Sequence, residues 1–282
     1  MRESSNPVFR SLPKQQGGYA QFGTGAAGFG AQQVHAQPYA QEYLEQPQTG
    51  VSRPLTIDDV VTKTGITLAV LSAVAVVSYF LVSGNVNLAL PFTLVGGLGG
   101  LVLVLIATFG RKQDNPAIVL SYAALEGLFL GAVSFIIANI ASVGGAGMIA
   151  QAIVGTMGVF FGMLVVYKTG AIRVTPKFTR MIVAALFGVV ALMLLNFVLA
   201  MFGVGGGAGL GLRDGGMLAI GFSLLCIGLA AFSFLIDFDA ADQMVRAGAP
   251  EKAAWGIALG LTVTLVWLYI EILRLLSYFN ND

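Results

Sequence analysis

Five carboxylates and one arginine carry what chemistry this chain could do. Glu126 stands inside the apolar run Ser121–Val133 (SYAALEGLFLGAV), and Glu271 inside Leu265–Phe279 (LVWLYIEILRLLSYF), with Arg274 one turn later. Asp237, Asp239 and Asp242 crowd the end of another apolar run. Neighbouring carboxyls cannot all ionise cheaply, so such a set responds to pH. Unprotonated, a pair of them attracts a hard cation through oxygen ligands. Plainer accounts stand beside this one. Glu271 and Arg274, at i and i+3, can neutralise each other on one helix face. Glu126 can serve as a neutral, hydrogen-bonded structural residue. The three aspartates can form a solvated charge run.

Other chemistries lack their residues. One histidine (His35) and one cysteine (Cys226) in 282 residues exclude a disulfide scaffold and a zinc site of the Cys₄ or Cys₂His₂ kind. The run Gly203–Gly211 (GVGGGAGLG) lacks the Lys-Ser/Thr ending of a phosphate loop and reads as a flexible connection. Neither H-E-x-x-H nor G-x-S-x-G occurs, so no enzyme is expected. A formal charge of +1 offers no basic field for nucleic acid.

The elements that position these residues follow from composition. Hydrophobic residues make up 56% of the chain and charged residues only 10%, against about 25% in an ordinary soluble domain. A helix needs about 20 mostly apolar residues to cross a bilayer. Seven runs qualify: 64–84, 89–109, 116–139, 147–168, 179–203, 216–238 and 256–278. The expected fold is therefore all-α, a polytopic membrane protein with seven transmembrane helices. Ahead of the first run, Thr56 caps a helix start, with Asp58 and Asp59 at its positive end. Residues 1–55, rich in Gly, Gln, Ala and Tyr, have too little apolar surface to offset ordering and read as a disordered tail. The division is a tail over 1–55 and a membrane domain over 56–282.

Lys and Arg are retained on the cytoplasmic side of a membrane. With the N-terminus inside, 13 of the 15 basic residues fall on that side, leaving only Arg213 and Arg274 outside. The expected setting is a bacterial cytoplasmic membrane, N-terminus cytoplasmic and C-terminus opposite. Pairs of glycines spaced G-x-x-x-G (Gly127 and Gly131, Gly158 and Gly162, Gly256 and Gly260) would allow close helix packing.

With these residues in view, the chain resembles the Bax inhibitor-1 family of seven-span membrane proteins. The resemblance is carried by Leu235-Ile236-Asp237-Phe238-Asp239 at the end of the sixth span and by Leu268-Tyr269-Ile270-Glu271-Ile272-Leu273 in the seventh, similar to that family's Leu-Tyr-Leu-Asp-Ile-Leu. Ser5–Phe9 and Thr56–Val61 look like a bacterial branch. The resemblance implies a calcium-permeable, pH-regulated leak, with calcium as permeant ion and no cofactor. It implies that a sixth-span carboxylate, here Asp237 or Asp239, pairs with Glu271 as pH sensor. Some bacterial members bind a membrane-bound AAA protease, which implies a partner beyond the lipid bilayer.

Span positions give a different pairing. With the sixth span ending at 238, Asp237 lies about 20 Å along the membrane normal from Glu271 at 1.5 Å per residue. Glu126 is the closer match in level. The expectation is a midplane Glu126–Glu271 site, with Asp237, Asp239 and Asp242 as an acidic mouth, and Asp242 and Arg274 in support. The rival from another class is a regulatory membrane protein acting through a partner. A secondary transporter would show internal repeats, and none is clear.

Overall fold

Between helices in a bilayer there is no hydrophobic driving force, so small residues and hydrogen bonds decide where helices touch. The computed structural model describes residues 53–140 and 145–280. Seven helices follow one another: α1 (Ile57–Gly84), α2 (Ala89–Phe109), α3 (Pro116–Ile140), α4 (Gly145–Thr169), α5 (Pro176–Met201), α6 (Met217–Arg246) and α7 (Ala253–Phe279). All seven are long and apolar enough to cross a membrane. The tail expected over 1–55 lies outside the described residues up to position 52.

Local signals set the helix starts. The Thr56 hydroxyl accepts from the Asp59 N–H at 3.3 Å, and the Thr56 N–H donates to Asp59 Oδ2 at 3.0 Å. This capping box makes 57–63 and the first span one continuous helix. Thr175 caps α5, whose first residue is Pro176. The sixth helix departs from expectation. It continues to Arg246 rather than stopping at 238. Asp237, Asp239 and Asp242 are therefore helical, and the loop is only residues 247–252. Three aspartates broke the apolar run, but a helix does not end where hydropathy does.

The most buried helix, α7, packs against α1, α3, α4 and α6. Leu261, Leu265 and Leu268 meet Phe234 and Phe238 of α6. Val266, Tyr269 and Leu273 meet Leu71 of α1, Leu130 of α3 and Met148 of α4. The α1–α3 contact is the tightest. A Cβ on Gly127 would lie 2.6 Å from the Leu71 carbonyl oxygen, and one on Gly131 would collide with the Ala75 carbonyl. Ser78 Oγ donates across the same seam to the Leu128 carbonyl at 2.7 Å. Gly158 and Gly162 face open space, so the second glycine pair closes no contact among the described residues. At the other extreme, α5 turns Phe187, Leu194 and Phe197 outward.

Candidate functional site

The apolar surroundings of Glu271 make its partners decisive, because an unpaired charge there is costly. Its side chain is 2% exposed. Arg213 closes on it in a fork, Nη1 donating to Oε2 and Nη2 to Oε1, both at 2.8 Å. Arg274 Nη1 adds a third bond to Oε1 at 3.1 Å. The i, i+3 neutralisation expected from the sequence is present, but it is the lesser half of the arrangement. The two arginines are the same two that broke the basic-residue asymmetry.

Arg213 reaches this acid from the connection between α5 and α6. Glu271 lies eight residues from the end of α7, about 12 Å along its axis, so that connection must dip into the bundle. Its glycines allow this. Gly209 and Gly211 sit at φ +66° and +73°, where a side chain would be strained. A Cβ on Gly209 would also meet the Asn196 carbonyl at 2.5 Å. Asn196 Oδ1 accepts from the Leu210 N–H at 2.7 Å, and Leu212 is buried against Val189, Phe222 and Cys226. The guanidinium lies 5.1 Å from the Phe222 ring centre. Burial disfavours the Arg213 cation, and the paired hydrogen bonds and opposite charge of Glu271 offset that cost. The glycine-rich stretch read as a flexible connection is thus the arm that delivers a counter-ion. Its composition showed that the chain could turn; nothing in it showed which way Arg213 would point.

Asp237 occupies a separate place. Its Oδ2 accepts from Thr264 Oγ1 at 2.8 Å. It lines a cavity of about 150 Å³ together with Gln113 and Asp114 of the α2–α3 loop and Gly256 and Gly260 of α7. Gly256 lets that loop approach, since a Cβ there would lie 3.2 Å from Gln113 Cβ. Asp114 was not anticipated, because in sequence it is an ordinary loop residue.

Asp239 and Asp242 turn toward α4. The Tyr167 hydroxyl lies 3.5 Å from Asp239 Oδ1 and 3.3 Å from Asp242 Oδ2. Gln243 donates to Asp239 at 2.6 Å, and Arg246 pairs with Asp242 at 2.8 Å. The three aspartates therefore split between two faces of α6 and do not form a single mouth.

Glu126 is not joined to Glu271. The Ser134 and Tyr269 hydroxyls meet at 2.8 Å, fixing the register of α3 on α7. Glu126 is eight residues before Ser134, and Glu271 two after Tyr269, so the carboxylates are about 15 Å apart along the axis. Glu126 instead points at α2, where a Cβ on Gly100 would lie 2.6 Å from its Oε2. Asp237 and Glu271 are not paired either. Asp237 is level with Thr264, seven residues from Glu271, about 10 Å along α7. The gap is half the expected one because α6 runs on past Asp237.

A third cluster ties the start of the described chain to the α6–α7 loop. Arg53 pairs with Asp59 at 2.6 Å and with Glu251 at 3.2 Å, and Lys63 pairs with Glu251 at 2.9 Å. Leu55 N–H donates to the Ala249 carbonyl at 2.8 Å and Glu251 N–H to that of Arg53 at 3.1 Å. Leu55 is buried against this loop and α6. Residues 53–55, assigned to the tail from composition, thus belong to the membrane domain.

No curated protein matches the chain. A family model described as "Bax inhibitor 1 like" matches residues 6–281. That is nearly the whole chain, and the chain belongs to this family.

Proposed function

We propose that this family member is a pH-controlled cation leak with calcium as its permeant ion, closed at one end by the clamp on Glu271. The observation that carries the reading is the two-armed clamp itself. An acid inside a membrane helix, bound by one cation from a loop and one from its own helix, is a joint that holds only while the acid keeps its charge. Without that charge nothing holds the two guanidiniums, and the glycine-rich arm carrying Arg213 is free to lift. With the clamp closed, one carboxylate faces two guanidiniums, and the net positive charge opposes a cation there. At the other end Asp114 and Asp237 supply the oxygen ligands a hard cation prefers. Glu126, about one turn from the level of Asp237, lines or couples the path. No cofactor and no enzymatic step are needed.

The basic loops at the Asp237 end support a cytoplasmic position for that end and for the N-terminus in a bacterial membrane, with the C-terminus opposite. The test is calcium flux into proteoliposomes. Arg213→Met should raise flux at neutral pH, and Asp237→Asn should lower it. Flux in Arg213→Met no higher than in the wild type would remove the clamp from the mechanism.

The cluster at Arg53 favours a second reading, a regulatory membrane protein. A partner, such as a membrane-bound protease, that engages the chain ahead of Arg53 would be felt directly at the α6–α7 loop. Capture of such a partner that needs residues 1–52, with no flux in liposomes, would select it.

A further inference from the structure

A second cavity lies away from all of these charges. It has a volume of about 340 Å³ and runs between α1 and α4, floored by α3 and α7. Leu265, Val266 and Tyr269 of α7 form its floor and are buried. Its rim includes Val76 and Phe80 of α1 and Ile153 and Met157 of α4, which are exposed on the surface that faces lipid. The cleft is thus continuous with the bilayer and reaches inward to the central helix.

We infer that the cleft between α1 and α4 is a binding site for one acyl chain of a bilayer phospholipid, held against α7. Three observations choose this occupant. First, the buried polar groups within are already satisfied, and only the Ser72 and Tyr79 hydroxyls of α1 are left over. Ser134 and Tyr269 bond each other, and Thr156 Oγ1 donates to the Ala152 carbonyl at 2.7 Å. A polar ligand would find little to bind, whereas a hydrocarbon chain leaves these bonds intact. Second, the length fits. The cleft follows α1 from Leu68 to Phe80, twelve residues or about 18 Å. One leaflet of the hydrocarbon core is about 15 Å deep. Third, the cleft is one-sided on α4, where it takes only the earlier part, up to Met157, and its floor on α7 lies at the middle of that helix. One chain entering from one leaflet, beside the start of α4, reaches that floor with its end.

A photoreactive phosphatidylcholine with a diazirine at the end of one acyl chain tests this in proteoliposomes. Any bilayer lipid labels α5, whose Phe187, Leu194 and Phe197 face outward. Only an inserted chain reaches Leu265, Val266 or Tyr269. The expected result is labelling of both α5 and this α7 segment. Ser72→Phe and Ala146→Phe place bulk at exposed rim positions and should cut the α7 label several-fold while leaving the α5 label unchanged. Label on α5 without label on α7 would overturn the inference. So would an α7 label that persists undiminished in both filled variants, since the chain would then arrive by another route.

Discussion

Replacing Arg213 by Met removes the stronger arm of the Glu271 clamp while keeping side-chain bulk. The remaining acid is 2% exposed and keeps only the 3.1 Å bond from Arg274. Breaking a buried pair by removing one partner typically costs about 3–5 kcal/mol. Arg213 is itself 21% exposed, so some solvent reaches the pair and the lower end of about 3 kcal/mol is expected. Glu271→Gln keeps the shape but leaves two guanidiniums without a counter-charge, and charged hydrogen bonds contribute roughly 1.5–3 kcal/mol each. The double variant removes an attraction that each single variant has already abolished. Its loss should fall short of the sum of the single losses by about 2 kcal/mol. Unfolding free energies from SDS titration of the purified protein in mixed micelles would measure this cycle. Arg274→Met should cost less than Arg213→Met, because Arg274 gives one longer bond. A coupling energy under about 0.5 kcal/mol, no larger than that between independent sites, would refute the clamp as an energetic unit.

Gly127→Ala should destabilise by about 1–3 kcal/mol through overpacking against the Leu71 carbonyl, while Gly158→Ala should change little; both can be read in the same titration. The Arg53–Glu251–Lys63 cluster should be indifferent to pH near neutrality. Hydrogen bonding and charge from Lys63 hold the Glu251 carboxyl below its ordinary pKa, so its contribution is complete above about pH 4.3 and is lost only as pH falls through the lowered folded value. Salt should act where pH does not. Raising ionic strength from 0.1 to 1 M shortens the screening length from about 10 to 3 Å and should speed amide exchange at Leu55 and Glu251. Unchanged exchange would show that Leu55 burial, not charge, holds this segment. Glu126→Gln should alter the pH dependence of flux if that acid lines the path, and an identical pH–flux curve would exclude it.

The seven spans were legible because one physical demand, about 20 apolar residues per crossing, acts on every helix. The capping box at Thr56 and the Glu271–Arg274 contact were legible because both are local, within four residues. What composition could not show was direction over distance. Glu271 and Arg213 are 58 residues apart. No periodicity connects them, and the basic-residue bias singled out Arg213 and Arg274 without showing that both would turn to Glu271. The Glu126–Glu271 pairing rested on span centres, which assume that helices end where hydropathy ends. Once α6 passes Asp237 and α3 is registered on α7 by Ser134 and Tyr269, Glu126 and Asp237 come within about a turn of each other in level and Glu271 stands apart. Of the three glycine pairs, the spacing is common to all. The helix facing each pair decides, and only Gly127 and Gly131 meet a backbone at both positions.

The most direct test of the account is calcium flux through wild-type protein and Glu271→Gln in liposomes, measured on both sides of neutral pH. The account predicts wild-type flux that changes with pH, and a variant whose flux at neutral pH already exceeds the wild-type value and no longer varies. Wild-type flux that is absent at every pH, or a variant that keeps the full pH dependence, would contradict it.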